Sequence, residues 1–111
     1  MSATSFSNDA DCFKALSDDF RIKILCYLYE NGEQCVCSLS EFFEIKQSAL
    51  SYHLKILLDN GLLIQRKNAV WNIYSLNQKH FFFPVLDKLF AARKKKMRGL
   101  SDPNKGHSAR T

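Results

Sequence analysis

Apolar residues recur along this chain at two periods, which separate helical from extended segments. Between Phe13 and Leu58 they fall three and four apart; between Leu62 and Leu76 they form short runs that alternate in part. The first spacing marks one face of a helix, the second one face of a strand. It predicts a short first helix over Asp11–Ser17, with Phe13 and Leu16 apolar. A second helix with Ile24, Leu25 and Leu28 has Asp18-Asp19 at its start and Asn31-Gly32 as its stop. A third holds Leu39, Phe42 and Phe43, with Ser38 and Glu41 spaced as a capping box. The fourth, Gln47–Asp59, has the clearest pattern. Leu50, Leu54, Leu57 and Leu58 fall within about 100° of arc, while Ser48, Ser51, Tyr52, Lys55 and Asp59 gather on the other side. The short Glu44-Ile45-Lys46 connection makes the third and fourth helices a helix-turn-helix.

Leu62–Lys67 and Trp71–Leu76 are rich in strand formers and are separated by Asn68-Ala69-Val70, which reads as a β-hairpin. Following a helix-turn-helix, and with Arg66 and Lys67 near its tip, that hairpin is a wing. A last helix starts near Pro84 and runs to about Arg98, with Phe82, Leu86, Leu89 and Phe90 as its stripe. The expected fold is mainly α with a small β-hairpin: a winged helix-turn-helix of five helices and a two-stranded wing. It occupies 11–99, after a flexible start over 1–10 and before a disordered basic tail over 100–111. The apolar helices at both ends need a partner surface. A twofold homodimer supplies it, with Phe13, Leu86, Leu89 and Phe90 in the interface.

Composition narrows the function. A chain of 111 residues, 46% hydrophobic and 24% charged, is one small globular domain. The polar N-terminus lacks a signal pattern, and the apolar stretch Phe81–Ala92 is broken by Asp87-Lys88, short of the ~20 residues of a membrane span. A cytoplasmic protein with no membrane partner is expected. There is no Cys-x-x-Cys, no nucleophile–His–acid set and no Gly-rich phosphate loop, so an enzyme is not expected. Residues 1–78 carry a net charge of −2 and residues 79–111 carry +7, largely from Arg93-Lys94-Lys95-Lys96 and Arg98. A basic excess suits a nucleic-acid partner, although this one also suits a solvated helix end.

Two groups carry candidate chemistry. The outer face of the fourth helix offers Gln47, Ser48, Ser51 and Tyr52, polar groups that can approach base edges, with His53 on its flank. Lys55, Arg66 and Lys67 suit phosphate contacts, which position a protein without reading sequence. The second group is Cys35-Val36-Cys37, ten residues ahead of that face. In a cytoplasmic chain such thiols are read as free or as soft-metal ligands. The alternative is that they pack as small hydrophobes. Positions two apart on a regular helix diverge by about 200°, so shared ligation would require the helix start to distort. Cys26 reads as a packed thiol, Cys12 as a possible third ligand or an interface residue, and His80 and His107 as surface residues.

Together these segments resemble the ArsR/SmtB family of metal-sensing winged-helix repressors, over roughly Phe13 to Leu76. The landmarks are Phe13-Lys14-Ala15-Leu16-Ser17-Asp18, Arg21-Ile22-Lys23-Ile24-Leu25, Cys35-Val36-Cys37-Ser38-Leu39, Gln47-Ser48-Ala49-Leu50-Ser51-Tyr52-His53-Leu54 and Gly61-Leu62-Leu63. The resemblance implies a homodimeric repressor on an inverted-repeat operator, needing no cofactor to bind DNA and released by a toxic metal or metalloid. Cys35 and Cys37 match the site of arsenic(III)/antimony(III) sensors and also that of cadmium/lead sensors. Some arsenic sensors have a third cysteine where Ser40 stands. In the cadmium sensors further cysteines come from an N-terminal arm, where this chain has Cys12 alone. The family's C-terminal-helix site has Asp87 here but lacks the paired His and Glu, so no zinc or nickel site is expected there. A thiol-redox or persulfide switch using the same cysteines is a further alternative.

Overall fold

The computed structural model describes residues 5–99, with side chains to residue 94. Two compact units divide the chain, one ending at His80 and one beginning at Phe81. The first contains α1 (Ser7–Leu16), α2 (Asp19–Asn31), β1 (Gln34–Cys35), α3 (Val36–Phe43), α4 (Gln47–Asp59), β2 (Leu63–Asn68) and β3 (Trp71–Leu76). The second contains α5 (Phe83–Gly99). The tail expected over 100–111 lies outside the described residues.

Local chemistry sets the helix boundaries. Asp18 caps α2, its carboxylate accepting from the Arg21 amide at 3.0 Å, and that bond lowers the Asp18 pKa. Gly32, at φ 77°, ends the same helix where a side chain would be strained. Helix α1 begins at Ser7, four residues before the expected Asp11. Ala10 closes the first turn onto the Phe6 carbonyl at 2.8 Å, and Asp9 lies where an acid complements the helix dipole. Helix α4 has the expected bounds, and Leu50, Leu54 and Leu57 are all buried. Between α3 and α4, Glu44 takes a left-handed conformation and the Ile45 amide donates to the Ser40 carbonyl at 3.1 Å. That turn directs α4 outward.

Residues of α1, α2, α3, α4, β2 and β3 form the core of the first unit, including Ala15, Ile24, Leu25, Leu28, Leu39, Leu50, Leu54, Leu57, Leu63 and Tyr74. Leu54→Ala should cost about 2–5 kcal/mol of stability, because the vacated volume can only partly collapse; a urea melt with an unchanged midpoint would contradict this.

The wing is larger than expected. Three antiparallel strands pair in the order β1-β3-β2, the short β1 adding to the predicted hairpin. Cys35 lies opposite Ile73, and Ile73 lies opposite Arg66, so the three form one row across the sheet. Two residues are too few for an alternation signal, which is why β1 leaves no trace in the apolar pattern.

Along α5, Leu86 and Phe90 are buried, whereas Val85 and Leu89 are exposed. Phe13, on α1, is 60% exposed. Of the four residues expected at a dimer interface, two are therefore already covered within one chain. Leu86 and Phe90, one helical turn apart, share one stripe of α5.

Candidate thiol site and nucleic-acid interface

Cys35 is the last residue of β1 and the N-cap of α3, with extended backbone angles of φ −80° and ψ 164°. Its Sγ accepts from the Ser38 amide at 3.3 Å, and the Ser38 hydroxyl lies 3.5 Å away. The cap expected from Ser38 is thus supplied by the cysteine, and only Cys37 of the pair lies within the helix. Because Cys35 precedes the helix, the 200° divergence does not apply. The Cα atoms are 5.3 Å apart and the two sulfurs are bonded as a disulfide. The two sulfurs that the sequence marks as candidate ligands thus meet at the start of a regular α3. Both residues are half-buried.

Cys12 is buried elsewhere in the first unit. Its Sγ lies 3.8 Å from Nε2 of His80, which in turn donates to the Asn60 carbonyl at 3.0 Å. Burial raises the Cys12 pKa, and Asp9 adds to the effect. Among the described residues, no three His, Cys, Asp or Glu side chains gather closely enough to hold a metal ion. Cys26 is half-buried in α2, outside the disulfide.

The outward face of α4 brings Gln47, Ser48, Ser51, Tyr52 and Lys55 together, all exposed, with Lys55 3.3 Å from Asp59 one turn on. His53 does not share that face fully. Its Nδ1 accepts from Nη1 of Arg21 at 3.1 Å, and its ring packs on Phe20 with centroids 5.1 Å apart. Arg21 also donates to the Ala15 carbonyl at 2.9 Å, so His53 braces α4 against α2 and the end of α1.

In the wing, Lys67 is exposed, and Arg66 forms a two-pronged ion pair with Glu33. At the hairpin tip Val70 and Trp71 are 80% and 52% exposed. Sequence reasoning passed over this apolar tip; its signal was a bulky pair placed at a turn, where no core can cover it.

The geometry is that of a winged helix-turn-helix, and the comparisons agree. Residues 18–65 match the family described as bacterial regulatory protein, arsR family. The arsenical resistance operon repressor of Bacillus subtilis is 42% identical over 87 residues, which cover 78% of this chain and 83% of that protein. The chain belongs to the ArsR family. A cadmium resistance regulatory protein CadC homologue from Staphylococcus aureus is 41% identical over 71 residues, covering 64% of this chain and 59% of the homologue. Among solved structures, reduced HlyU from Vibrio cholerae superposes with a TM-score of 0.68 at 34% identity, covering 78% of this chain and 88% of its own. As an ArsR-family member the chain is a DNA-binding transcriptional regulator. Among the described residues no helix is long and apolar enough to cross a membrane.

Proposed function

We propose that this ArsR-family regulator is a cytoplasmic, homodimeric repressor released from an inverted-repeat operator by arsenic(III) or antimony(III) at Cys35 and Cys37. The observation that carries the reading is the meeting of two sulfurs, on half-buried residues, at the start of α3. Two electrons from a cellular thiol reductant open the disulfide to two thiols. Arsenous acid then forms two As–S bonds as two As–O bonds break, and two waters leave with the thiol protons. The third position on arsenic keeps its hydroxide or takes an external thiol. The Ser38 amide, which points at the Cys35 sulfur, stabilises negative charge there. Two soft donors suit a three-coordinate metalloid better than cadmium, which favours more thiolates, and Cys12 is occupied with His80.

Cys35 also shares a strand row with Ile73 and Arg66, so ligation ties the end of β1 and the first turn of α3 to one ion. The wing and the helix preceding the reading helix then respond together. The decisive measurement is anisotropy of the reduced protein on the duplex upstream of its own gene, with arsenite, antimonite, cadmium, lead and zinc added separately. Release by the first two at micromolar concentration supports the reading; release by cadmium or lead alone replaces it with the cadmium-type reading.

A second reading has a specific support: the sulfurs are bonded to one another, and a solved relative is described as reduced. An oxidant or a persulfide would then be the signal. Release by mild oxidation, with the matching mass change and no response to metalloid, favours it.

On the DNA side, Gln47→Ala should cost roughly 1–3 kcal/mol at the operator and relax preference at one position per half-site. Lys67→Ala should instead weaken all sequences alike and flatten the salt dependence. A Gln47→Ala protein with unaltered base preference would remove α4 as the reader.

A further inference from the structure

The wing's arginine is not a free cation. Nε and Nη2 of Arg66 donate to the two carboxylate oxygens of Glu33, at 3.0 and 2.8 Å, so the Nε–Nη2 edge of the guanidinium is engaged in a two-pronged pair. The chain delivers Glu33 there by two local devices. Gly32 turns the backbone out of α2 at φ 77°, and Gln34–Cys35 then pairs with β3, whose other neighbour is the strand carrying Arg66. The pair holds Glu33 below the usual carboxylate range and raises Arg66. Its side chains are nonetheless 51% and 47% exposed for Arg66 and Glu33. An ion pair at the surface is loosely held and readily exchanged. A carboxylate and a phosphate present the same paired oxygens to a guanidinium.

We infer that Glu33 stands in for a DNA phosphate at Arg66, so that the free protein withholds one wing cation until a duplex displaces the carboxylate. Glu33 is thereby a residue that sets how strongly the wing grips the DNA backbone, a contact blind to sequence. Lys67, next in the strand and exposed, draws the backbone in while Arg66 is still engaged. Holding Arg66 in reserve restrains binding to unrelated DNA, where charge supplies nearly all the affinity. The inference rests on the wing lying against DNA.

The test is equilibrium binding of the reduced protein to an unrelated duplex and to the duplex upstream of its own gene, across a salt series. Four proteins are compared: wild type, Glu33→Gln, Arg66→Gln and the double variant. Glu33→Gln should tighten binding to the unrelated duplex several-fold and steepen its log–log salt slope by about 0.9, the contribution of one further phosphate contact. In the Arg66→Gln background the same substitution should change nothing. An equal gain in that background would mean that Glu33 acts only through net charge, and the inference fails; no gain in either background also overturns it. A wild-type protein that binds neither duplex overturns the DNA reading itself, whereas a wild type that binds with Glu33→Gln silent overturns only this proposal.

Discussion

Serine in place of Cys35 or Cys37 is expected to leave operator binding intact and to abolish release by arsenite. A hydroxyl is a poor ligand for a soft centre, so either change leaves one sulfur where the metalloid needs at least two. The structure explains why the apo protein should tolerate the first change. Cys35 is the N-cap of α3, accepting from the Ser38 amide, and serine is among the best residues for that position. Folding should therefore survive the Cys35→Ser change even where sensing does not. Allosteric couplings of this kind are typically ~1–3 kcal/mol, so a wild-type loss of roughly 5–150-fold in operator affinity should fall to none in the variants. Cys12→Ser and Cys26→Ser should respond as wild type, Cys12 because its buried thiol already packs on His80. Anisotropy titrations of the reduced proteins decide this. A Cys35→Ser/Cys37→Ser double variant still released by micromolar arsenite would falsify the site.

The contrast between α4 and the cysteine pair shows what the sequence could reveal. Helix α4 was legible to the residue because thirteen positions carry one uninterrupted stripe and a left-handed glycine follows it. The polar face opposite could be read from the same periodicity. The cysteine pair was visible in the sequence, but its geometry was misread. Its meeting depends on where α3 begins, and the cap is a sulfur, a residue type that capping preferences do not single out. Placing Cys35 one residue inside the helix gave diverging side chains; placing it one residue outside brings them together. The engagement of Arg66 with Glu33 was equally hidden. It joins positions 33 residues apart through a strand too short to leave a pattern. His53 shows a limit of helical wheels: it lies on the flank of the polar face of α4, yet its ring turns back to Arg21 and Phe20.

Leu89→Glu is expected to give a folded monomer with roughly 10²–10⁴-fold weaker operator binding. The size of the loss comes from avidity, because the second half-site is held at high effective concentration only while the two reading helices are joined. A twofold dimer sets those helices about 34–36 Å apart, one turn of DNA, and a monomer engages a single half-site. Leu89 is the position to change because it is 41% exposed within one chain, so a carboxylate there would meet water in the monomer but would be trapped in the proposed interface. Phe90 is 1% exposed, and Phe90→Glu should unfold the chain by burying an unpaired charge, which says nothing about association. Phe13→Glu, at an exposed position on α1, should behave as Leu89→Glu does if both ends of the chain contribute to the interface. Sedimentation equilibrium combined with circular dichroism separates these outcomes. A Leu89→Glu protein that remains dimeric, or a monomer that holds the operator as tightly as wild type, would place the dimer contact elsewhere or remove the need for one.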